Sequence, residues 1–190
     1  LSDRPANTFP GKLTQLLLKR FQLGYGGFVI LPCELIDKNG DNLKKCILQY
    51  ADLWELGAEF KNWIEKENIF CNTLVDRINT GYPKGEAIDL DFDDKMVNTS
   101  EYFHLWVIDG YEKLFDEIPF DKCGLNVILT NELERYRTRK VRILNGAHTS
   151  FVLASYLCGQ NIVLESMNDP DIRKFIKATI YEEVIPTLTL

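Results

Sequence analysis

Hydrophobic residues recur along the first half of the chain with spacings that predict alternating helices and short strands. The spacing is helical over Pro10–Phe21 and again over residues 43–64. Between them, Phe28–Cys33 is a short continuous apolar run, which is typical of a buried parallel strand. Phe70–Ile78 is predicted to be the next strand. A strand, one long helix and a second strand form a right-handed crossover unit, so the pattern predicts an α/β sheet.

The pattern of the second half predicts two further strands and then mostly helix. Tyr102–Ile108 and Gly124–Leu129 have the character of strands, whereas Glu132–Leu157 and Asp169–Val184 have helical spacing. The fold class is therefore predicted to be α/β followed by mostly α. The predicted domains are residues 1–115 and 116–190.

Composition narrows the class of protein. The chain has 190 residues, 45% of them hydrophobic, which is enough to bury a sizeable core. Its net charge of −6 argues against an electrostatic nucleic-acid binder. No apolar run approaches the ~20 residues of a membrane span. The five cysteines are dispersed, a usage typical of reduced thiols in the cytoplasm.

One predicted helix carries a lysine, an asparagine and a histidine with regular spacing. At about 100° per residue, Asn145 lies roughly 140° around from Lys140, and His148 lies roughly 80° around, so all three can face one pocket. A lysine that exchanges a proton, an amide that donates and an imidazole that orients suit proton transfer at an alcohol or ketone, without a metal. The alternatives are a solvated surface lysine and a core histidine.

Weaker candidates lie on the predicted strands. Asn72, Asp76 and Arg77 belong to the strand Phe70–Ile78, and ligands of open α/β sheets bind beyond the carboxyl ends of strands. The alternative for Asp76 and Arg77 is that Asp76 caps a loop and Arg77 is a surface residue. His104 belongs to an alternating stretch, where it is either a site residue or a strand residue without chemistry.

Three motifs resemble those of the long-chain mannitol dehydrogenase family. They are Lys140-x4-Asn145-x2-His148, Val75–Ile78 (Val-Asp-Arg-Ile) and Leu105–Ile108 (Leu-Trp-Val-Ile). The resemblance is collinear over essentially the whole chain, and Tyr136–Thr149 is similar to the branch of the family that acts on hexuronates. It implies the later part of a Rossmann-like NAD-binding domain, followed by the start of a helical substrate domain.

The resemblance also implies an activity: reversible, metal-independent hydride transfer between NAD and the pair D-tagaturonate and D-altronate, in hexuronate breakdown. It makes Lys140 the general acid and base. The implied hydrogen-bond donors to the reacting oxygen are Asn145 and Asn72, and His148 would orient substrate and lysine. The residues implied to support the site near the nicotinamide are Asp76 and Arg77.

Arg137 is expected to bind the carboxylate that distinguishes a uronate from a neutral polyol. It precedes Lys140 by three residues on the same helix face, and a guanidinium binds a carboxylate through two hydrogen bonds. His104 is the second candidate for substrate binding. Fructuronate reduction, polyol oxidation and a non-catalytic ligand-binding module remain open alternatives.

The family's glycine-rich turn, which holds the pyrophosphate of the cofactor, has no match in this sequence. Gly24-x-Gly26 precedes a predicted strand instead of following one, and the third glycine of the motif is missing. We therefore expect this chain alone to bind NAD poorly and to turn over slowly or not at all.

Overall fold

The computed structural model describes residues 5–85 and 89–189, and the chain divides into two compact units, Leu1–Leu133 and Glu134–Leu190. The division lies later than the boundary between residues 115 and 116 expected from the sequence, because a strand beyond residue 115 pairs with the sheet of the first unit. The elements of the first unit are, in chain order, α1 (Phe9–Gln22), β1 (Val29–Ile30), α2 (Asn39–Leu53), α3 (Gly57–Glu67), β2 (Ile69–Phe70), β3 (Asn72–Asp76), β4 (Asn79–Gly81), β5 (Thr99–Ser100), β6 (Leu105–Asp109), α4 (Leu114–Glu117), a 3₁₀ turn (Phe120–Lys122) and β7 (Val127–Leu129).

The first helix agrees with its prediction from Pro10 to Phe21. Thr8 caps it by accepting a hydrogen bond from the Gly11 N–H at 3.1 Å, and Pro10 stands in its first turn, where no amide hydrogen is required. Its buried face carries Leu17, which packs in one core with Phe60 of α3.

The predicted crossover unit is present, but it contains two helices. β1 pairs with β2 in parallel, with Val29 opposite Ile69. The single long helix expected over residues 43–64 is wrong, because the chain breaks between α2 and α3. Glu55 and Gly57 there have φ angles of 52° and 86°. A left-handed backbone cannot continue an α-helix, and Gly57 was the signal for it in the sequence.

The next three strands form a mixed sheet that gathers several chain segments at one edge. β3 runs antiparallel to β6, and β6 runs parallel to β7. Asn72, the first residue of β3, is therefore opposite Asp109, the last residue of β6. The amino end of α2 reaches the same place because Gly40 has no side chain. A Cβ atom there would lie 2.3 Å from the Cys71 carbonyl oxygen.

Helices make up the second unit. One helical stretch runs from Leu133 to Leu157, as predicted from Glu132, and Asp169 caps a second predicted helix by accepting the N–H groups of residues 171 and 172. A short helix between them was not predicted. The elements of this part are α5 (Leu133–Arg139), a π-helical segment (Lys140–Asn145), α6 (Gly146–Leu157), α7 (Val163–Asn168), α8 (Pro170–Ala178), a second π-helical segment (Thr179–Val184) and a 3₁₀ turn (Ile185–Thr187).

A separate apolar core holds the second unit together. Phe151 of α6, Ile176 of α8 and Ile180 of the second π-helical segment are buried against one another. Ile143 of the first π-helical segment packs on them, so the two π-helical segments share one core. In the part of the chain that the structure describes, no helix is long and apolar enough to span a bilayer.

Candidate active site

The lysine, asparagine and histidine identified in the sequence lie on one helical stretch whose turn is wider than that of an α-helix. Lys140 begins and Asn145 ends the first π-helical segment. At its exit, the Gly146 N–H donates to two carbonyls, those of Ile143 and of Val141, and the second lies five residues earlier rather than four. Residues five apart therefore approach one another on the same side. In a regular α-helix Lys140 and Asn145 would be about 140° apart, and the wider turn of a π-helix reduces this angle.

The inward side of this stretch is apolar, which fixes where its polar groups lie. Ile143 and Ala147 pack against the buried Phe151. Lys140 is half-buried, whereas Asn145 is exposed. The two polar residues therefore lie along the sides of the helical stretch that its apolar core face does not occupy.

A hydrogen bond to the backbone sets the tautomer of the neutral His148 ring. The His148 Nδ1 lies 3.0 Å from the carbonyl oxygen of Leu144. Because a carbonyl can only accept, Nδ1 carries the proton, and Nε2 of the neutral ring has a lone pair. The exposed imidazole can then accept a hydrogen bond from a hydroxyl or an ammonium group. It lies three residues from Asn145, on the adjacent turn.

Asn72 is held in a two-bond contact with the first turn of α2. Its Oδ1 accepts the Asp41 N–H at 3.1 Å, and its Nδ2 donates to the Asp41 Oδ2 at 3.1 Å. The pair of bonds fixes which way round the amide lies. An amide nitrogen carries two hydrogens, so one of them can still donate to a substrate oxygen.

A cleft opens at the sheet edge that Asn72 shares with β6 and β7. Its volume is about 600 Å³, and it is lined by Asp109–Glu112 and Leu129–Asn131. β6 and β7 are parallel, so their carboxyl ends meet here, where ligands of open α/β sheets bind. The sequence interpretation did not include Asp109, although its place at the end of a predicted strand was a usable signal.

Burial shifts the pKa of two groups at this edge of the sheet. Burial raises the pKa of Asp109 above its usual value, and the neighbouring Asp41 carboxylate raises it further. Burial also raises the pKa of the Cys71 thiol to about 11, with a further contribution from Asp109.

Asp76 and Arg77 do not join Asn72 at this edge. They follow the far end of β3, four residues or about 13 Å along the strand. The Arg77 Nε donates to the Glu101 carbonyl at 3.1 Å, and the Glu101 carboxylate accepts the Ile78 N–H at 2.7 Å. These bonds give Arg77 a structural part in the connection between β3 and the β4–β5 ribbon.

His104 is engaged through both of its ring nitrogens. Its Nδ1 lies 3.2 Å from the Tyr102 carbonyl, and its Nε2 accepts the Asn126 N–H at 3.0 Å. The Asn126 side chain donates in turn to the His104 carbonyl. Substrate binding by His104 stays a prediction, and these contacts favour the structural alternative, in which it ties the start of β6 to the chain before β7.

The candidate residues thus form two groups, each described within its own unit. The first unit holds Asn72 and Asp109 at the edge of its sheet. The second holds Lys140 and Asn145 on the wide turn and His148 on the turn that follows. Within residues 5–85 and 89–189, no group of three or more histidine, cysteine, aspartate or glutamate side chains is arranged to hold a metal ion.

Fold and site together describe a Rossmann-type α/β unit followed by a helical unit that carries Lys140, Asn145 and His148 on consecutive turns. The chain belongs to the mannitol dehydrogenase family. Residues 4–122 match the mannitol dehydrogenase Rossmann domain, and residues 132–190 match the mannitol dehydrogenase C-terminal domain.

Curated relatives carry the name altronate oxidoreductase. The protein of Yersinia enterocolitica serotype O:8 is 46% identical over 197 residues, which cover 100% of this chain and 41% of that protein. The protein of Enterobacter sp. strain 638 is also 46% identical, over 99% of this chain and 41% of its own length. The chain therefore spans about two fifths of the length of these relatives.

Solved structures of polyol dehydrogenases share the fold. A D-sorbitol dehydrogenase in substrate-free form superposes with a TM-score of 0.79 at 26% identity, over 96% of this chain and 38% of that one. The ternary complex of Pseudomonas fluorescens mannitol 2-dehydrogenase with NAD and D-mannitol superposes with a TM-score of 0.72 at 25% identity, over 96% and 37%.

Proposed function

We propose that the protein carrying this chain is an NAD-dependent oxidoreductase that interconverts D-tagaturonate and D-altronate in hexuronate breakdown. The observation that carries the proposal is the π-helical segment that begins at Lys140 and ends at Asn145, with His148 on the turn that follows. The identity of 46% to altronate oxidoreductases over the whole chain supports the choice of substrate.

Proton transfer at the reacting oxygen is assigned to Lys140. In the direction of reduction, its Nζ ammonium gives a proton to the oxygen of the ketone as that oxygen gains electrons. In oxidation, the neutral amine takes the hydroxyl proton of the alcohol. The Asn145 amide donates a hydrogen bond to the same oxygen, where negative charge develops. His148 accepts through Nε2 and so orients a substrate hydroxyl or the lysine.

Asn72 is proposed as a second donor to the reacting oxygen. Its contact with Asp41 turns Nδ2, the donating atom, in a fixed direction. A donor that is already oriented loses little freedom when the transition state forms, and this is what electrostatic stabilisation requires.

The described residues fit the nicotinamide end of NAD better than its pyrophosphate. The cleft at the ends of β6 and β7 contains Asp109 and Glu112, which would repel a pyrophosphate but can bond a neutral carboxamide. When bound, the nicotinamide supplies or receives the hydride. Asp76 and Arg77 are proposed to support the cofactor from the far end of β3.

Arg137 is proposed to bind the substrate carboxylate. It is half-buried and precedes Lys140 by three residues, one turn away on α5. Arg137→Ala should raise KM for the uronate by about tenfold or more, the size of a charge-assisted hydrogen bond, and should leave turnover of a neutral polyol unchanged. Arg142→Ala, on the exposed side of the same stretch, is the matched control. An unchanged KM in Arg137→Ala would exclude this role.

We propose a cytoplasmic location and a small-molecule partner from the cysteine chemistry and the net charge. The five cysteines are all unpaired, which fits a reducing cytoplasm. The proposed partner is a small anionic sugar acid, and the acidic net charge of −6 does not suit nucleic acid.

The test is an assay of NADH oxidation by the whole protein with D-tagaturonate, D-fructuronate and D-fructose as substrates. Consumption of NADH with tagaturonate that is lost in Lys140→Ala supports both the reaction and the lysine. Activity with fructuronate or fructose alone supports the mannitol dehydrogenase family reaction but contradicts tagaturonate as the substrate. No activity with any of them, in a protein that binds NAD, favours the non-catalytic alternative.

A further inference from the structure

Two side chains, those of His148 and Thr149, bond the backbone at the end of the wide turn. The His148 imidazole bonds the Leu144 carbonyl, and the Thr149 hydroxyl donates to the Asn145 carbonyl at 3.0 Å. Both acceptors belong to the last two residues of the π-helical segment. His148 already has a part in the proposed reaction, whereas Thr149 has none.

A reason for these bonds lies in the change of backbone spacing. The segment bonds each amide to a carbonyl five residues back, and α6 returns to four. At such a junction the backbone changes its hydrogen-bond spacing, and side-chain bonds to its carbonyls hold one spacing against the other. Threonine hydroxyls commonly bond the carbonyl four residues earlier, and they bend a helix when they do.

Other groups fix the opposite side of the turn. Ile143, in the middle of the segment, packs on the core that contains Phe151 and Ile180. The core therefore sets the inward side, and the Thr149 bond acts on the exposed side, at the backbone of Asn145. Thr149 itself is exposed, so removing its hydroxyl does not open a hole in the core.

We propose that Thr149 is a positioning residue, whose hydroxyl holds the Asn145 backbone at the end of the wide turn and so keeps the Asn145 amide in register with Lys140. The proposal rests on the proposed function for its effect on turnover. Its structural part, that the hydroxyl stabilises the wide turn, does not depend on any substrate.

The first measurement is steady-state kinetics of the whole protein with D-tagaturonate and NADH. Thr149→Val keeps the shape of the side chain and removes the hydroxyl, and we expect kcat to fall about five- to tenfold, the equivalent of one neutral hydrogen bond. KM should change less than about twofold, because ground-state binding of the sugar does not use this bond. Thr149→Ser restores the hydroxyl and should return kcat to within about twofold of the wild type.

Ser150→Ala provides the matched control. The Ser150 hydroxyl also bonds a backbone carbonyl of this helix, that of Ala147 at 2.7 Å, but this carbonyl lies outside the wide turn. Its removal should leave kcat unchanged. An equal loss in Ser150→Ala, or a failure of Thr149→Ser to restore kcat, would mean that the hydroxyl serves the helix in general, and the proposal would be wrong.

The second measurement needs no substrate. Hydrogen exchange of the Gly146 amide reports on the wide turn, because this amide donates to the Ile143 and Val141 carbonyls, both within the π-helical segment. We expect faster exchange in Thr149→Val than in the wild type and in Thr149→Ser. Unchanged exchange together with unchanged kcat would overturn the proposal. If the wild type reduces no uronate, the proposed function fails, and the exchange experiment alone still decides whether Thr149 holds the turn.

Discussion

Glycine at position 146 destabilises the helix, and no close contact in the described chain requires a glycine there. Its φ and ψ angles, −60° and −41°, are those of any helical residue. The nearest atom to an added Cβ would be the Val141 carbonyl oxygen, at 3.5 Å, an ordinary contact. A glycine here lowers helix stability by about 1 kcal/mol relative to alanine. A ligand that comes close between Asn145 and His148 would explain why it is kept.

Gly146→Ala should therefore separate stability from activity. We expect the free energy of unfolding to rise by about 1 kcal/mol, measured by urea denaturation. We also expect kcat/KM for the uronate to fall, because the added methyl group occupies the space used by substrate. A variant that is less stable than the wild type would show instead that the backbone of the wide turn requires glycine.

Asp109 predicts a dependence of stability on pH. Its folded-state pKa is raised above the ordinary value of 3.8, mainly by burial and then by Asp41. The folded protein therefore holds this proton more tightly than the unfolded chain. The resulting stabilisation is complete below about pH 3.8 and is lost as the pH rises through the raised folded pKa.

Asp109→Asn imitates the neutral carboxyl at every pH and should remove this dependence. In urea denaturation over a pH series, the variant should equal the wild type at low pH and exceed it at neutral pH. Asp93→Asn, an exposed acid, controls for the change in net charge. Lower stability of Asp109→Asn at neutral pH would mean that the Asp109 charge is favourably bound.

At the scale of elements, Gly40 is the residue that allows α2 to approach the sheet. An added Cβ would lie 2.3 Å from the Cys71 carbonyl oxygen, far inside contact distance, and this oxygen belongs to backbone that cannot move alone. Gly40→Ala should therefore destabilise the fold by about 2 kcal/mol or more. Gly26→Ala is the control, since nothing lies within 4 Å of its Cβ position.

The same substitution should affect the reacting groups, because α2 carries Asp41, which orients Asn72. In whatever fraction of Gly40→Ala folds, we expect a lower kcat than in Gly26→Ala at equal concentrations of folded protein, measured by active-site titration with NADH. Equal kcat values would show that Asn72 does not need α2 for its orientation.

How far the sequence predicted these elements depended on how local their causes are. α1 and α8 follow from a cap, a proline and a hydrophobic period, all of which are visible in the sequence. The break between α2 and α3 depends on a left-handed backbone at two residues, of which Gly57 gives a signal in the sequence and Glu55 gives none. The pairing of β3 with β6 depends on contacts far apart in sequence, so strand edges moved by a few residues.

The candidate site divides in the same way. The three groups on one helical stretch were visible from their spacing, but the π-helical turn was not, because it depends on one extra residue being accommodated against the core through Ile143. The contacts of His104 and of Arg77 with backbone carbonyls also depend on chain segments that only the fold brings near. The position of Asp109 directly after a predicted strand was a usable signal, but its pairing with Asn72 depends on a strand order that the sequence does not show.

At the scale of the whole molecule, the second unit exposes a large apolar surface on α6. Val152, Leu153, Tyr156 and Leu157 are 48%, 69%, 64% and 76% exposed, and the opposite side of α6 carries the buried Phe151. A helix that is apolar all round is stable in water only when both of its sides are covered. An exposed apolar area of this kind promotes association.

The 190-residue chain should therefore self-associate through this surface more readily than through its charged ones. We expect the double variant Leu153→Glu and Leu157→Glu to reduce association, measured by sedimentation velocity over a range of concentrations. Thermal unfolding should change little, because exposed substitutions usually alter stability by less than about 0.5 kcal/mol each. Gln22→Glu on α1 and Asn62→Glu on α3, at two exposed neutral residues, add the same two negative charges elsewhere and control for charge. If both double variants reduced association equally, net charge and not the α6 surface would be its cause.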